Sequence, residues 1–354
     1  MSDIDNKPFK PVDKLTRVIT TYMKETGKLP YSRLTYDENN KLSPSYFQYG
    51  PRKGRVIRQY DLVSSILLKL QIEMRKEEIC PYFVTFDSIK YVKKSKIRVG
   101  AKAFVIRKTE SKFWKECTET GKWLYSSKLE ARNRKGEIKE GYHVTRGMKY
   151  ENVYSISDVH GNIHCKRVVE AWKKSLNSVP EEYYHVSTGE TAALAYGSFA
   201  MKNDTMFLPH TKTNEHSLST KMPIKERFMD GEVDFKENYF FSEYFRQMIM
   251  WSGTEHNIER FTSLNYFKDK KFRDFEYQIG KIGSFILADR FGYGREEVEI
   301  KALFDNTLQS IDEDSFRFLQ ILDKVEEALK FLNKNYHTNF DEMLEKMSRE
   351  SISI

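Results

Sequence analysis

Apolar residues recur along the chain with two different spacings. Residues 13–26, "DKLTRVITTYMKET", place Leu15, Val18, Ile19 and Tyr22 on one helical face. Residues 60–77 do the same with Leu62, Ile66, Leu67 and Leu70. Between them, "RLTYDENNKLSPSYFQYGPRKGRV" is rich in Gly, Pro and Asn and reads as loop and short strand. Then come a strand at Tyr82–Thr85, a short helix at Phe86–Tyr91 and a basic turn. A strand at Ala103–Lys108 follows, with Phe104 and Ile106 on one face. Residues 109–150 lack a clear period and read as an irregular charged insertion, and "NVYSISDVHGN" closes the region as strand and turn.

Beyond residue 165 the pattern becomes helical. Helices are predicted near 166–176 and at 236–251, 272–291, 295–306 and 313–335, with a strand at "TMFLP". The last helix aligns Phe318, Ile321, Leu322, Val325, Leu329 and Leu332. "RFGYGREE" reads as a helix end, with Gly292 and Gly294 stopping one helix before the next begins. The expected fold class is α+β in two domains, a small basic α+β domain followed by a mainly helical one. The expected division is a disordered 1–12, a first domain over 13–165, a second over 166–340 and a tail over 341–354.

With 354 residues, 39% hydrophobic and 14% aromatic, the chain can bury a sizeable core. No apolar run reaches the length of a membrane span. "MSDIDNKPFKPVDK" lacks the apolar stretch of a secretory signal. Cys80, Cys117 and Cys165 are scattered and odd in number, which suits reduced thiols rather than a disulfide framework. A cytoplasmic protein is expected, in a host cell or packaged in a virion.

Charge divides the chain more sharply than hydropathy does. Residues 1–167 hold 35 Lys+Arg against 19 Asp+Glu, while residues 168–354 hold 24 against 32. A basic first half suits a polyanion, and the acidic second half does not. Two clusters carry the basic charge. Arg52, Lys53, Arg55 and Arg58 precede the second helix, and Lys90, Lys93, Lys94, Lys96, Arg98 and Lys102 surround the basic turn. Tyr82, Phe83, Phe86, Tyr91 and Phe104 are interleaved with them. Cations neutralise phosphates and exposed rings stack on unpaired bases, so the combination suits single-stranded nucleic acid. Phe83 and Phe104 alternate as core positions do. Tyr82 and Tyr91 fit either role.

At these residues the chain resembles the ArdC-type antirestriction proteins of conjugative plasmids and phages. "PYFVTFDSIKYVKKSKIRVGAKAFVIRK" is similar to that family's first-domain pattern, a P-Y-[WF]-[LV]-T-F strand, a helix, a Gly/Lys-rich turn and a second strand. "KGRVIRQYDLVSSILL" and "ENVYSISDVHG" resemble its flanking motifs, with departures at Tyr60 and Asp61, where Gly and Asn would be expected. In the second half, "STGETAALAYGSFAMKNDTMFLPH", "MWSGTEHNIERF", "YQIGKIGSFILADRFG" and the closing amphipathic helix follow in the family's order. The resemblance spans about residues 50–335. It implies a single-strand DNA-binding domain, a zincin-like metallopeptidase domain, and protection of incoming DNA from host nucleases.

The implied zinc site is degenerate. A zincin presents two neutral imidazoles four residues apart on one helix, with a carboxylate beside the first as general base. Aligned on Trp251-Ser252-Gly253, the histidine positions hold Arg246 and Met250, the base position holds Gln247, and the third ligand position holds Lys281. Guanidinium and ammonium offer no lone pair, a thioether prefers softer metals, and an amide is no base. No catalytic residue, metal or cofactor is expected there. His160, His164 and Cys165 in "HGNIHC" form the tightest alternative cluster, but read as turn residues; His210, His216 and His256 stand apart. The expected function is a phage or mobile-element protein binding single-stranded DNA, with an inactive peptidase-like domain that contacts a host-defence or virion protein. The alternatives are a metal-dependent hydrolase with relocated ligands, and a structural or packaged virion protein.

Overall fold

The structure is a computed structural model that describes residues 11–32, 34–36, 42–52, 54–77, 79–117, 120–176, 198–200, 205–207, 242, 245–255, 257–262, 268–290 and 297–336. It is α+β, as the sequence pattern predicts. Helix α1, Pro11–Thr26, is followed by short strands β1, Thr35–Tyr36, and β2, Leu42–Ser43. Strands β3, Phe47–Gly50, and β4, Arg55–Gln59, form a hairpin that leads into α2, Leu62–Arg75. Asp61 starts α2 because its carboxylate accepts the Ser64 amide at 2.8 Å, and Lys76 ends it in the left-handed conformation. Strand β5, Tyr82–Thr85, turns directly into α3, Phe86–Lys90, where the Thr85 hydroxyl accepts the Ser88 amide at 3.1 Å.

Strands β6, Lys96–Ile97, and β7, Phe104–Glu116, come next, then β8, Trp123–Ser126, α4, Lys128–Ala131, and β9, Tyr142–Ser155. A short 3-10 turn precedes β10, Val159–His160, and α5, Ile163–Leu176. The main sheet has six strands in the order β4-β3-β5-β9-β7-β8, antiparallel except for the β3–β5 pair. Residues 109–150 are therefore not irregular. They extend β7 and supply β8, α4 and most of β9, in an unbroken register from Phe104↔Val153 to Lys115↔Tyr142. The periodicity was hidden because this part of the hairpin lies beyond the core, where charged residues are tolerated on both faces of the strands.

In the second half, β11, Ser198–Ala200, pairs with β12, Thr205–Phe207. Helix α6 covers 245–252, α7 is Lys270–Arg290, and α8 is Glu297–Tyr336. The two helices expected at the end of the chain are joined in α8 and broken at Asp314, whose backbone is non-helical. Its carboxylate then caps the second piece by accepting the Phe316 and Arg317 amides, both at 3.0 Å. The expected stop at Gly292 and Gly294 lies outside the described residues, as do the ends at 1–10 and 337–354.

One core cluster joins the two halves of the chain. It contains Leu15, Ile19 and Met23 of α1 and Leu62, Ile66 and Leu70 of α2. Packed with them are Phe245 and Ile249 of α6, Ile286 of α7, and Phe318, Leu322 and Val325 of α8. Two smaller clusters lie on opposite faces of the sheet, one around Phe83, Phe104 and Ile106, the other around Val84, Cys80 and Cys165. Phe83 and Phe104 are thus core residues, as their alternation indicated.

Candidate nucleic-acid interface and a degenerate metal site

The two basic clusters meet on one surface. The Arg52 guanidinium lies over the Tyr91 ring, 4.7 Å from its centroid, and the Lys90 ammonium approaches the same ring at 5.0 Å. Tyr91 is 63% exposed, so the ring stays accessible beside its two cations. β4 is an edge strand of the sheet, and Arg55, Val56, Ile57 and Arg58 along it are all exposed. Lys53 lies outside the described residues.

The backbone holds the basic turn firmly. β6 pairs antiparallel with β10, matching Lys96 with His160 and Ile97 with Val159. The Arg98 amide donates to the Asp158 carbonyl at 2.8 Å, and its guanidinium pairs with the Asp158 carboxylate at 2.6 Å. Gly161 takes a φ of +78°, and a Cβ there would fall 1.9 Å from the Lys94 carbonyl oxygen, so the turn rests on a bare glycine. Asn162 joins this turn to the first cluster. Its side-chain oxygen caps α5 through the His164 and Cys165 amides, while its NH2 donates to the Pro51 carbonyl at 3.4 Å.

Not every cation is equally available. Lys90 pairs with Asp87 at 2.5 Å, Arg58 donates to Gln48 at 2.7 Å, and Arg98 is held by Asp158. Arg55, Lys93, Lys94, Lys96 and Lys102 have no acidic side-chain partner among the described residues. Tyr82 is half-buried, stacked on Phe47 at 5.5 Å and edge-on to Tyr49. Phe86 is 58% exposed, making it a second open ring beside Tyr91 on α3. The sequence placed Phe86 among the aromatics but gave no sign that it faces outward.

Three of the four positions of the implied metal site, Arg246, Met250 and Lys281, also come together. Arg246 and Met250 lie one turn apart on α6, and the Arg246 Nη1 donates to the Met250 Sδ at 3.5 Å. Gly280 of α7 brings that helix against them, since a Cβ there would lie 3.2 Å from both side chains. Gly283 does the same against Ile249, where a Cβ would come within 2.8 Å. Tyr277 completes the group and was missed by the sequence reading. Its ring lies 5.6 Å from the Arg246 guanidinium and 4.6 Å from the Lys281 ammonium, four residues along the same helix. Gln247 is buried. A guanidinium, an ammonium, a thioether and an amide do not fit a zinc ion. Among the described residues, no group of three or more His, Cys, Asp or Glu side chains could hold a metal ion. In "HGNIHC", His160 pairs with Lys96, His164 packs against Gly54 and Cys165 is buried, so the cluster does not converge. His210, His216 and His256 lie outside the described residues.

Glu276 is fully buried and belongs to Arg260, whose Nε reaches both carboxylate oxygens at 3.0 and 2.8 Å. The Arg260 Nη2 also donates to the Ile249 carbonyl at 3.1 Å, so one side chain ties the Trp251-Ser252-Gly253 turn to α6 and α7. Gly253 leaves room for it, because a Cβ there would lie 2.5 Å from that guanidinium.

Two solved structures of the antirestriction protein ArdC from plasmid R388 are similar to this chain. The metal-free one is 14% identical with a TM-score of 0.48, covering 92% of this chain and 98% of its own. The Mn(II)-bound one is 15% identical with a TM-score of 0.49, covering 94% and 100%. No protein-family model and no curated protein matches the chain. Among the described residues, no helix is long and apolar enough to cross a membrane.

Proposed function

We propose that this protein binds nucleic acid, single-stranded DNA first, through the surface built from the 51–58 hairpin, Tyr91 and the basic turn. The contact of Arg52 with Tyr91 carries this reading, because it joins two distant basic clusters around an exposed ring. Unpaired cations would take the phosphates, while Tyr91 and Phe86 would stack on bases. Together with the ordered motifs of the sequence, this supports reading the protein as an ArdC-type antirestriction protein of a phage or mobile element. It would protect incoming DNA or interfere with host defence in the host cytoplasm. Its acidic helical half would serve as a scaffold for a host-defence or virion protein.

Anisotropy of a labelled single-stranded oligonucleotide tests the binding surface. Replacing Lys93, Lys94, Lys96 and Arg98 with alanine should weaken binding at least about tenfold at low salt. It should also flatten the salt dependence, by about 0.7 in log–log slope for each phosphate contact removed. Unchanged affinity and slope would show that the surface is wrongly placed.

The same reading makes the peptidase-like half inactive, because Arg246 and Lys281 put positive charge where a dication would bind. Purified protein given zinc should hold less than one equivalent and cleave no peptide. Stoichiometric zinc with peptidase activity would restore the hydrolase alternative.

A further inference from the structure

The far end of the β7–β9 hairpin forms a small three-stranded sheet with its own helix. One face is covered. Phe113 is buried there beneath α4, with Arg132 over its ring at 5.6 Å and Ala131 buried beside it. Glu130 of α4 lies near Lys115 at 3.8 Å and accepts from Tyr142 at 3.3 Å on the same side. The opposite face has no cover among the described residues. In register on it stand Tyr125, Trp114 and His143, with Trp123 opposite Glu116. The Trp114 and Tyr125 rings meet edge-on at 6.0 Å, and Trp123 reaches across β7 to His143 at 5.7 Å. The Trp114 indole donates to Thr145 at 2.8 Å, which fixes the ring in place.

This ring platform is exposed where a folded chain gains nothing from it. Trp123 is 48% exposed and Tyr125 is 72% exposed. The rings are held in place by the sheet, so stacking on them would order little that is not already ordered. The charge around them is positive. Residues 109–150 contain 10 Lys+Arg and 6 Asp+Glu. Lys112 shares the bare face, Lys122 adjoins Trp123, and Lys128, Arg134 and Lys135 lie on nearby segments of the hairpin. Lys122, Lys128, Arg134 and Lys135 have no acidic side-chain partner among the described residues, and Lys112 acts at a distance on the Glu110 carboxylate that Lys149 holds. Much of the acid is already engaged, since Glu110 pairs with Lys149 at 2.5 Å and Glu130 faces Lys115 on the covered side. Flat rings on a sheet, flanked by free ammonium groups, match the two faces of an unpaired strand, its bases and its phosphates.

We propose that this bare face is a second nucleic-acid site, stacking unpaired bases on Trp123, Tyr125 and Trp114 while Lys112 and Lys122 contact phosphate. It is separate from the Arg52–Tyr91 surface and would extend the path of a bound strand along the hairpin.

The test uses the full chain and a labelled oligothymidylate of about 15 nucleotides, within the range one such surface covers. Replacing Trp123 and Tyr125 together with alanine should weaken binding about 10-fold or more, and single-strand preference over duplex should narrow. A second variant, Lys112→Glu with Lys122→Glu, alters exposed positions only and should also lower affinity. The strand should quench Trp114 fluorescence in the parent and in the variant lacking Lys93, Lys94, Lys96 and Arg98. That quenching separates this site from the first surface, whose failure would leave it intact. Unchanged affinity in both tip variants, or a strand that leaves Trp114 emission unaltered, overturns the proposal and assigns the face to a protein partner.

Discussion

Replacing Arg260 with alanine should cost about 3–5 kcal/mol of folding stability, because it strands a buried carboxylate. Glu276 has no exposed surface, and the Arg260 side chain is only 3% exposed, so water cannot replace the lost partner. Burial pushes the Glu276 carboxyl above its ordinary value, and Arg260 pulls it back down. Without Arg260 the folded-state value rises further. A carboxyl whose folded value exceeds its unfolded value holds an extra proton between the two. Its contribution is therefore present at low pH and lost as pH rises through the folded value. The deficit of the variant should be largest at neutral pH and shrink as pH falls toward the ordinary carboxylate range. Urea unfolding at neutral and mildly acidic pH measures both. Arg260→Lys should recover only part of the loss, since lysine cannot reach both Glu276 oxygens and the Ile249 carbonyl together. A deficit below about 1 kcal/mol that ignores pH would contradict a buried pair.

Arg107→Leu should cost about 2–4 kcal/mol. Arg107 is buried on β7, where it pairs with Asp61 at 3.1 Å and with Asp323 of α8. One guanidinium thus ties the sheet, the start of α2 and the last helix together. The estimate stands below that for Arg260 because the Asp61 and Asp323 side chains are 36% and 30% exposed and can be partly rehydrated. Burial raises the Asp323 carboxyl, and Arg107 opposes the rise. Removing both charges, as Arg107→Leu with Asp323→Leu, should recover part of the loss, because an apolar pair needs no solvation. A double-mutant cycle by chemical unfolding reads the coupling. If Arg107→Leu stays within about 0.5 kcal/mol of the parent, the three-way tie contributes nothing.

These two arginines mark where the sequence reading stopped. Arg107 sits inside an alternating strand and looks like an ordinary solvent-facing position. Its partners are 46 residues before and 216 residues after it. Asp61, noted as a departure from the resembled motif, caps α2 and pairs with Arg107, so its identity has a local and a distant cause. The helices α1 and α8 were legible because burial on one face leaves a 3.6-residue period, whereas α2, buried all round from Leu62 to Gln71, showed instead as a dense apolar stretch at helical spacing. The 109–150 hairpin was not, because its tip is exposed on one face and covered by a one-turn helix on the other. Tyr277 carried a faint signal, its four-residue spacing from Lys281, while the exposure of Phe86, Trp123 and Tyr125 carried none.

By itself, the sequence determined the α+β class, the positions of the main helices, and the basic and acidic halves. These follow from residue type and local spacing. Only the tertiary structure decided that Arg52 meets Tyr91, that Glu276 belongs to Arg260, and that the hairpin tip has one bare aromatic face. Such facts depend on which distant segments pack together: the Asn162–Pro51 bond ties the basic turn to the 51–58 hairpin, the β7–β8 and β7–β9 registers line up the rings of the tip, and Arg260 reaches Glu276 across α6 and α7.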